Sequence, residues 1–334
     1  MISQFQFKMK VLHFVKVNKK NTDRHAILAI VTFLVILLMY PIPDIFFEKK
    51  DVSSYYSDKK FVGSFTGDLV FNKYYDLSVQ TGKTDTITKH LSSYMENSDY
   101  ITGNVVGQIT ENESEILREF KFTTLNIDNK NKGNNEPLTS GILYTEVFKQ
   151  EGLFNNIVYQ QINDIKVATL GISEANYVEN LTLIEDAKAN ADLVFVHMKW
   201  KETTDKKVSN IQRTIAKAIC DAGADVVVGH NAQVLQPMEV YNDKVIFYSL
   251  GNFLHGDNYA FSLESVMAQY IIEPNNPSIV IRIIPLSLAY GYPKPALDFF
   301  DIPYRMSVTD TLTSNLPKDL KMTEKDGILS IIIN

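Results

Sequence analysis

The clearest hydrophobic pattern in the chain predicts a helix that is followed by a short strand and a hairpin. Apolar residues at three- and four-residue steps indicate an amphipathic helix: Ile211, Ile215, Ala218, Ile219 and Ala222. Gly223 follows where helices commonly end, because glycine readily adopts positive φ. The β-branched run from Asp225 to Val228 is long enough for a buried strand and too short for a helix. Residues 240–248 then predict a hairpin that turns at Asn242-Asp243.

A polar loop directly follows the predicted strand at residues 225–228. Its sequence is Gly229-His230-Asn231-Ala232-Gln233. In an open α/β sheet, ligand chemistry gathers just past the carboxyl ends of the strands. We therefore expect this loop to contribute to any functional site.

Strand-like and helix-like runs alternate along much of the chain. The strand-like runs are Phe61 to Phe71, Phe120 to Ile127, Ile165 to Ile172, Asp192 to Met198 and Ile281 to Leu288. Helices are predicted over Thr86 to Met95 and over a segment that ends at residues 184–191. A terminal hairpin is predicted around an Asp326-Gly327 turn. This alternation indicates an α/β fold that contains parallel strands.

The first fifty residues form a separate unit with a basic segment and then an apolar run. Ala26 to Tyr40 carries Thr32 as its only polar side chain before Tyr40. Fifteen helical residues span about 22 Å, and Pro41-Ile42-Pro43 extends this reach towards the roughly 30 Å of a bilayer core. A cleavable signal peptide is the alternative, but the run is followed by prolines and phenylalanines rather than by a small-residue cleavage site. We expect an uncleaved anchor, with its basic N-terminal side in the cytoplasm.

Composition and charge narrow the class of protein. The chain has 334 residues, 45% hydrophobic and 22% charged, which suits one large globular domain or two small ones. A net charge of −6 argues against a nucleic-acid partner, which would usually require a basic face. The single cysteine, Cys220, excludes an intrachain disulfide and a cysteine-based zinc cluster. Cys220 follows Ile219 in the predicted helix, so we expect it to be a packing residue.

Three sequence segments resemble the CapA family, the accessory proteins of bacterial poly-γ-glutamate capsule synthesis. They are GADVVVGH, VLQPMEVYN and VIFYSLGNF, all between residues 222 and 253. The resemblance implies the α/β sandwich of the calcineurin-like metallophosphoesterases, with two mixed sheets flanked by helices and one transmembrane helix before them. It also implies a basic cytoplasmic tail and a main domain outside the cell.

The family's metal-binding motifs can be followed onto this chain residue by residue. Asp68 matches the aspartate of a Gly-Asp pair that ligates metal in the family, and Lys73 stands a few residues later, where the family usually has an arginine. Asn104 matches the asparagine of a Gly-Asn motif, whereas the glutamate two residues later is Val106. Asn129 matches a further family asparagine.

The family's histidine positions hold other residues in this chain. They are Asn131, Lys199, Asn231 and Gln233, and Lys130 replaces a second asparagine. Lysine has no lone pair to offer when charged and repels a cation. One carboxylate and one amide do not offset the charge of two divalent ions, so we expect a non-catalytic protein without a metal or another cofactor.

The former active-site pocket is then expected to bind a ligand through Asp68, Lys73, Asn104, Asn129, Lys199, Asn231 and Gln233. In this hypothesis Lys199, with Lys130, compensates the charge of Asp68 in place of metal and leaves an anion pocket. The alternative is a metal-dependent hydrolase of phosphoester or amide bonds with a rebuilt ligand set. Its ligands would come from Asp68, Asp128, His197, Glu202 and His230, with Asp68, His197 and His230 as the first choice.

These observations predict four segments and one biological role. Residues 1–25 form a cytoplasmic basic tail, 26–46 a transmembrane anchor, 47–60 a linker and 61–334 a CapA-like extracellular domain with a C-terminal hairpin. The resemblance implies an accessory protein of poly-γ-glutamate synthesis or export in the bacterial cell membrane. Its expected partners are the membrane subunits of the synthase complex, the polyanionic polymer and, through the N-terminal helix, the membrane itself.

Overall fold

The computed structural model describes residues 13, 16, 24–34, 52–56, 59–71, 73–107, 109–128, 142–146, 157–255, 264–288 and 291–334. The chain divides into two units, Met1–Lys49 and Lys50–Asn334. In the first unit, residues 24–34 are helical and are named α1. Among the described residues, no helix is long and apolar enough to cross a membrane. The predicted anchor also includes residues 35–46, which lie outside the described residues.

The second unit is built from sixteen strands, named β1 to β16, and seven α-helices, named α2 to α8, among its described residues. The strands are β1 (Phe61–Val70), β2 (Tyr100–Val106), β3 (Thr124–Asp128), β4 (Leu143–Glu146), β5 (Val158–Ile162), β6 (Ile165–Ser173), β7 (Leu193–Lys199), β8 (Val226–His230), β9 (Leu235–Tyr241), β10 (Lys244–Leu250), β11 (Asn252–His255), β12 (Glu264–Ile272), β13 (Ile279–Ser287), β14 (Lys294–Pro295), β15 (Lys321–Lys325) and β16 (Ile328–Ile333). The helices are α2 (Lys73–Gln80), α3 (Asp85–Thr88), α4 (Ser92–Glu96), α5 (Glu111–Glu119), α6 (Tyr177–Asn190), α7 (Asn210–Asp221) and α8 (Ile302–Thr313). Short 3₁₀ helices lie at Ser53–Tyr55 and Phe299–Asp301.

The strands form two mixed sheets. The first has the order β15-β16-β13-β12-β1-β2-β3-β4, with β11 paired to β1 and β14 paired to β13. The second has the order β5-β6-β7-β8-β10-β9. Strands β1 to β4 are parallel neighbours, as are β6 to β8, so the carboxyl ends of each set lie at one edge of its sheet.

Aromatic and aliphatic side chains from both sheets form the central core. The Phe65 ring meets the edge of the Phe195 ring at a centroid distance of 5.0 Å, which joins β1 of the first sheet to β7 of the second. Val226 and Phe247 extend this buried cluster. Burial of such large apolar side chains supplies most of the free energy that holds two sheets face to face.

Helices cover the outer face of each sheet. Tyr75 of α2, Ile87 of α3 and Ile116 of α5 pack on the first sheet. Ile184 of α6 and Ile219 of α7 pack on the second. The result is a helix–sheet–sheet–helix sandwich, which confirms the prediction of an α/β fold with two mixed sheets flanked by helices.

Several predicted elements are confirmed with small shifts in their ends. The helix before Gly223 is α7, and Gly223 has φ 120°. Cys220 is buried, and burial raises the pKa of its thiol to about 12, which agrees with a packing role. Both hairpins are present, and their turn residues Asn242-Asp243 and Asp326-Gly327 all have positive φ.

Two predicted elements are wrong in their extent. The helix expected over Thr86 to Met95 is divided into α3 and α4, and the Ser92 hydroxyl donates to the Lys89 carbonyl oxygen at the break. The strand expected from Phe120 begins at Thr124 instead. Lys121 has φ 60°, which interrupts an extended chain just after α5. In both cases, local hydrogen bonding and turn geometry override the apolar pattern.

Candidate functional site

The candidate site lies where the carboxyl ends of three parallel strands of the first sheet meet those of two parallel strands of the second. Asp68, Asn104 and Asp128 come from β1, β2 and β3 of the first sheet. Lys199 and His230 are the last residues of β7 and β8 in the second sheet. All five side chains are buried, so their polar groups depend on one another for hydrogen bonds.

Asp68 is the centre of this arrangement. Its Oδ1 accepts from Asn104 Nδ2 at 2.7 Å and from His230 Nδ1 at 2.9 Å. Its Oδ2 accepts from the backbone N–H of Asn231 at 2.9 Å. Three donors from three strands or loops therefore stabilise a carboxylate that is only 5% exposed.

A close approach of two backbone segments holds Asp68 in place. The Asp68 N–H donates to the Gly251 carbonyl oxygen at 3.2 Å. A Cβ on the preceding residue, Gly67, would lie 1.8 Å from that same oxygen. Glycine is therefore required at position 67 for the Gly-Asp pair to fit between its neighbours.

A row of polar residues crosses the first sheet at the level of Asp68. In the strand register, Asn252 pairs with Asp68, Asp68 with Asn104, Asn104 with Asn126, and Asn126 with Thr145. Asn126 Nδ2 donates to Asn104 Oδ1 at 2.6 Å, and Thr145 Oγ1 donates to Asn126 Oδ1 at 3.0 Å. Each donation fixes the amide orientation of the next residue towards Asp68.

A second chain of hydrogen bonds runs from the interior to Asp68. Thr102 Oγ1 lies 2.8 Å from His197 Nε2, and His197 Nδ1 lies 2.8 Å from His230 Nε2. His230 Nδ1 must donate, because the carboxylate of Asp68 only accepts. With both imidazoles neutral, His197 donates to His230 and the Thr102 hydroxyl donates to His197.

The environment of His197 favours its neutral form. Burial lowers the pKa of His197 well below its ordinary value, and the neighbouring His230 lowers it further. The two rings stack at a centroid distance of 5.1 Å. A positive charge on His197 is unfavourable here, because the ring is buried and shielded from solvent.

Lys199 forms an ion pair with Asp128 across the two sheets. Its Nζ lies 2.6 Å from Oδ1 and 2.5 Å from Oδ2 of Asp128. The hypothesis that Lys199 compensates the charge of Asp68 is therefore wrong in its partner. Asp68 already accepts from His230 and Asn104, so the ammonium group pairs with the carboxylate at the end of β3.

The loop after β8 holds Asn231 and Gln233, which stand at two histidine positions of the family, and it places them in different surroundings. Asn231 Nδ2 donates to the Trp200 carbonyl oxygen at 2.9 Å. Gln233 Nε2 donates to Glu202 Oε1 at 2.6 Å, in an exposed position. Asn231 has φ 70° and Gln233 has φ 54°, so both residues adopt the left-handed backbone of a tight loop. It is the backbone N–H of Asn231, rather than its side chain, that donates to Asp68.

The structure leaves four of the residues singled out from the sequence without a side-chain description. Lys73 is the first residue of α2, and its backbone alone is described. Asn129 and Lys130 directly follow β3 and lie outside the described residues, as does Asn131. The structure therefore brings together Asp68, Asn104, Lys199 and the backbone of Asn231, with His197 and His230 beside them.

The described residues do not fit the dinuclear metal centre that the resemblance implies for its family. A metal-binding imidazole must present a lone pair, but His230 donates to Asp68 through Nδ1, and its Nε2 lies 2.8 Å from Nδ1 of His197. Both oxygens of Asp68 already accept hydrogen bonds. Lys199 adds a cation next to the site. Within the described part of the chain, no group of three or more His, Cys, Asp or Glu residues is arranged to hold a metal ion.

One family model matches the middle of the chain. Residues 140–257 match the family model described as "Bacterial capsule synthesis protein PGA_cap". This segment contains β4 to β11 and therefore Lys199, His230 and the loop after it.

Two curated relatives extend the similarity over nearly the whole chain. "Capsule biosynthesis protein CapA" of Bacillus anthracis is 28% identical over 388 residues, covering 98% of this chain and 91% of that protein. "PGA biosynthesis protein CapA" of Bacillus subtilis (strain 168) is 27% identical over 346 residues, covering 88% of this chain and 89% of that protein. The resemblance to the CapA family is thereby confirmed.

Solved structures show more distant similarity. A hypothetical protein from Thermus thermophilus has a TM-score of 0.46 and 14% identity, covering 70% of this chain and 96% of that chain. A putative 5′-nucleotidase from Staphylococcus aureus has a TM-score of 0.39 and 11% identity, covering 75% of this chain and 58% of that chain.

The sequence did not predict three buried polar residues that complete the hydrogen-bond network. The sequence pattern does not single out Thr102, Asn126 or Thr145, yet they connect His197 and Asn104 to the rest of the site. One signal is present, because His197 interrupts an otherwise apolar strand. A polar side chain in a fully buried strand requires a partner, and the partner comes from the opposite sheet.

Proposed function

We propose that this protein is a membrane-anchored, non-catalytic accessory protein of capsular poly-γ-glutamate synthesis or export. The ion pair between Lys199 and Asp128 is the observation that carries the non-catalytic part of the proposal. An ammonium group occupies the position that the family resemblance assigns to a metal-binding histidine, and a buried carboxylate neutralises it. The capsule role is supported by the similarity to two CapA proteins over nearly their whole length.

The self-contained hydrogen bonding of the site also supports a structural role for these residues. Asp68, Asn104, His197 and His230 satisfy one another without an added ligand. In an enzyme of this kind, water is activated between two metal ions held by carboxylates and imidazoles. Here the corresponding groups join the two sheets instead, so the domain retains the fold while the chemistry is lost.

The N-terminal sequence supports the proposed location, and the similarity to CapA proteins supports the proposed partners. Residues 26–46 anchor the chain, residues 1–25 lie in the cytoplasm, and residues 61–334 lie outside the cell in this proposal. Membrane subunits of the polymer synthase are the partners, and the emerging polyanionic polymer passes the outer domain. The anchor concentrates the domain at the membrane surface, where synthesis takes place.

Complementation tests this proposal directly. A poly-γ-glutamate-producing Bacillus strain that lacks its own CapA would receive this chain, and the polymer would be measured in the medium and on the cells. We expect polymer to return with the wild-type chain and, relative to the amount of protein on immunoblots, with Asp68→Asn, a change that keeps the side-chain shape but replaces one acceptor oxygen with a donor and weakens metal ligation. Deletion of residues 1–46, with a cleavable secretion signal supplied, should abolish it.

The opposite pattern would contradict the proposal. A metal-dependent hydrolase would lose activity in Asp68→Asn while the protein accumulates to its normal level on immunoblots. Purified wild-type protein would then hydrolyse phosphoester or amide substrates when supplied with manganese or zinc, and the variant would not. Retention of polymer synthesis without residues 1–46 would contradict the anchor.

A further inference from the structure

A cleft outside the Asp68 network carries a concentration of basic side chains. It has a volume of about 310 Å³ and lies between the segment that precedes α7 and the C-terminal end of α8. Lys206, Lys207 and Arg213 line one side. Thr311, Ser314 and Asn315 line the other. Three cations beside neutral hydrogen-bonding groups are suited to an anionic ligand rather than to an apolar one.

Two of the three cations are held in place by acidic side chains behind them. Lys206 pairs with Glu264 of β12, and Arg213 pairs with Glu239 of β9. Lys217 also contacts Glu239, at 3.0 Å. These pairs orient the cations, and the exposed side chain of Lys206 keeps donors for a ligand, since an ammonium group has three.

Lys207 supplies a positive charge that no ion pair among the described residues neutralises. Among the described residues, no acidic side chain forms an ion pair with its ammonium group, and its side chain is exposed. Asp205 is the acidic residue closest in sequence, and its Oδ1 accepts from the Lys207 backbone N–H at 2.9 Å. The ammonium group of Lys207 is therefore available to an incoming anion.

The segment that carries the lysines is fixed on the sandwich. Gln236 Nε2 donates to the Asp205 carbonyl oxygen at 2.8 Å, and Gln212 Nε2 donates to Gln236 Oε1 at 2.9 Å. Ser209 begins α7 with a reciprocal cap, in which its hydroxyl accepts from the Gln212 N–H. A basic segment that is already ordered loses less conformational entropy when it binds.

We propose that this cleft binds side-chain carboxylates of an anionic polymer, a polycarboxylate of the poly-glutamate type. The class of ligand rests on the proposed function, and the location of the binding site rests on the cleft. Lysine and arginine form strong charge-assisted hydrogen bonds with carboxylates, and the Thr311 hydroxyl and the Asn315 amide on the opposite wall are neutral donors. A flexible polymer also gains from repeated weak contacts along its length, so a modest site suffices.

Binding of fluorescently labelled poly-γ-glutamate to the full-length protein in detergent tests the inference. Lys207→Glu and Ser314→Glu reverse or add charge on opposite walls, and each should weaken binding by about tenfold at low salt. Lys321→Glu, an exposed lysine of β15, is the matched control and should leave binding within about twofold. Inorganic polyphosphate as competitor separates recognition of carboxylates from recognition of any polyanion, because a carboxylate site is displaced less well by it.

Two results would overturn the inference. The first is equal binding by the wild type, Lys207→Glu and Lys321→Glu, with the variants folded as judged by circular dichroism. The second is displacement by polyphosphate as effective as by unlabelled poly-γ-glutamate. Failure of this inference alone leaves complementation of polymer synthesis intact in the Lys207→Glu strain, whereas failure of the proposed function removes complementation by the wild type as well.

Discussion

The ammonium nitrogen of Lys199 lies 2.6 Å from Oδ1 of Asp128 and joins the ends of β7 and β3 across the two sheets. Lys199 is 8% exposed and Asp128 is 5% exposed, so water screens the pair only slightly. The pair places a fixed positive charge where the family resemblance implies an imidazole and a metal ion. A cation of this kind neutralises the carboxylate beside it and requires no cofactor.

Removal of Lys199 should destabilise the domain through the charge that it leaves behind. In Lys199→Met, Asp128 remains buried without its partner, and we expect a loss of about 3 kcal/mol in the free energy of unfolding. The double change Lys199→Met with Asp128→Leu should recover much of this loss, because both charges are then absent. Urea denaturation monitored by tryptophan fluorescence measures these differences, since Trp200 follows Lys199 in the sequence and is buried.

Lys206→Met is the matched control for this experiment. Lys206 pairs with Glu264 at the surface, where such pairs contribute about 0–1 kcal/mol. Equal losses in Lys199→Met and Lys206→Met would show that the pair with Asp128 is not a buried structural interaction.

The hydroxyl of Thr102 should be needed to hold His197 in its orientation. In Thr102→Val the side chain keeps its shape, but Nε2 of His197 loses its donor in a buried site. We expect a loss of about 1–3 kcal/mol in unfolding free energy. Thr81→Val is the control, because the Thr81 hydroxyl is exposed and donates to its own helix, so its loss should stay within about 0.5 kcal/mol. Indistinguishable stabilities for the two variants would contradict the hydrogen-bond chain.

Stability should fall at mildly acidic pH because of His197. The folded state lowers the pKa of His197 below its ordinary value of 6.5, so the unfolded chain binds a proton that the folded chain does not. This contribution is absent above the unfolded pKa and reduces stability by about 1.4 kcal/mol per pH unit below it, until the folded pKa is reached. His197→Gln keeps a donor for His230 and removes the titration, so its stability should depend less steeply on pH.

Long-range proton–nitrogen spectra provide an independent readout of the same group. His197 should be neutral, with its proton on Nδ1, at a pH where exposed histidines are already charged. A titration of His197 near its ordinary pKa, or parallel pH profiles for wild type and His197→Gln, would contradict this explanation.

Gly67→Ala should disrupt the position of Asp68. The added Cβ would lie 1.8 Å from the Gly251 carbonyl oxygen, so β1 and the segment before β11 must separate. We expect a loss of about 3 kcal/mol or more, because backbone atoms cannot rotate away. Gly82→Ala adds a Cβ into open space at φ 63°, and its conformational strain should cost about 1 kcal/mol. Thermal unfolding compares the two; a smaller loss at Gly67 than at Gly82 would contradict the tight approach.

The layers of the fold were predictable because periodicity reports burial. The three-to-four-residue repeat of α7 and the apolar runs of β6 and β7 each mark a face that must be covered. The turns at Asn242-Asp243 and Asp326-Gly327 were also predictable, since few residues accept positive φ. The break between α3 and α4 was not, because it depends on a side-chain hydrogen bond of Ser92.

The candidate site was predictable in its location but not in its pairings. The carboxyl ends of strands mark Asp68, His197 and His230 as candidates to converge, and the family resemblance adds Lys199. Which carboxylate Lys199 contacts depends on how the two sheets are placed against each other. The pattern of apolar and polar residues along the chain does not specify that placement. The link from Thr102 to His197 likewise joins residues 95 positions apart in different sheets.

The metal content of the purified protein tests the central claim most directly. Full-length protein in detergent would be incubated with manganese, zinc and iron, freed of unbound ions by gel filtration, and measured by plasma mass spectrometry beside Asp68→Asn. If the buried ion pair and the hydrogen-bonded histidines have replaced the metal centre, both proteins will carry no more metal than the buffer. Stoichiometric metal in the wild type that Asp68→Asn removes would contradict that account.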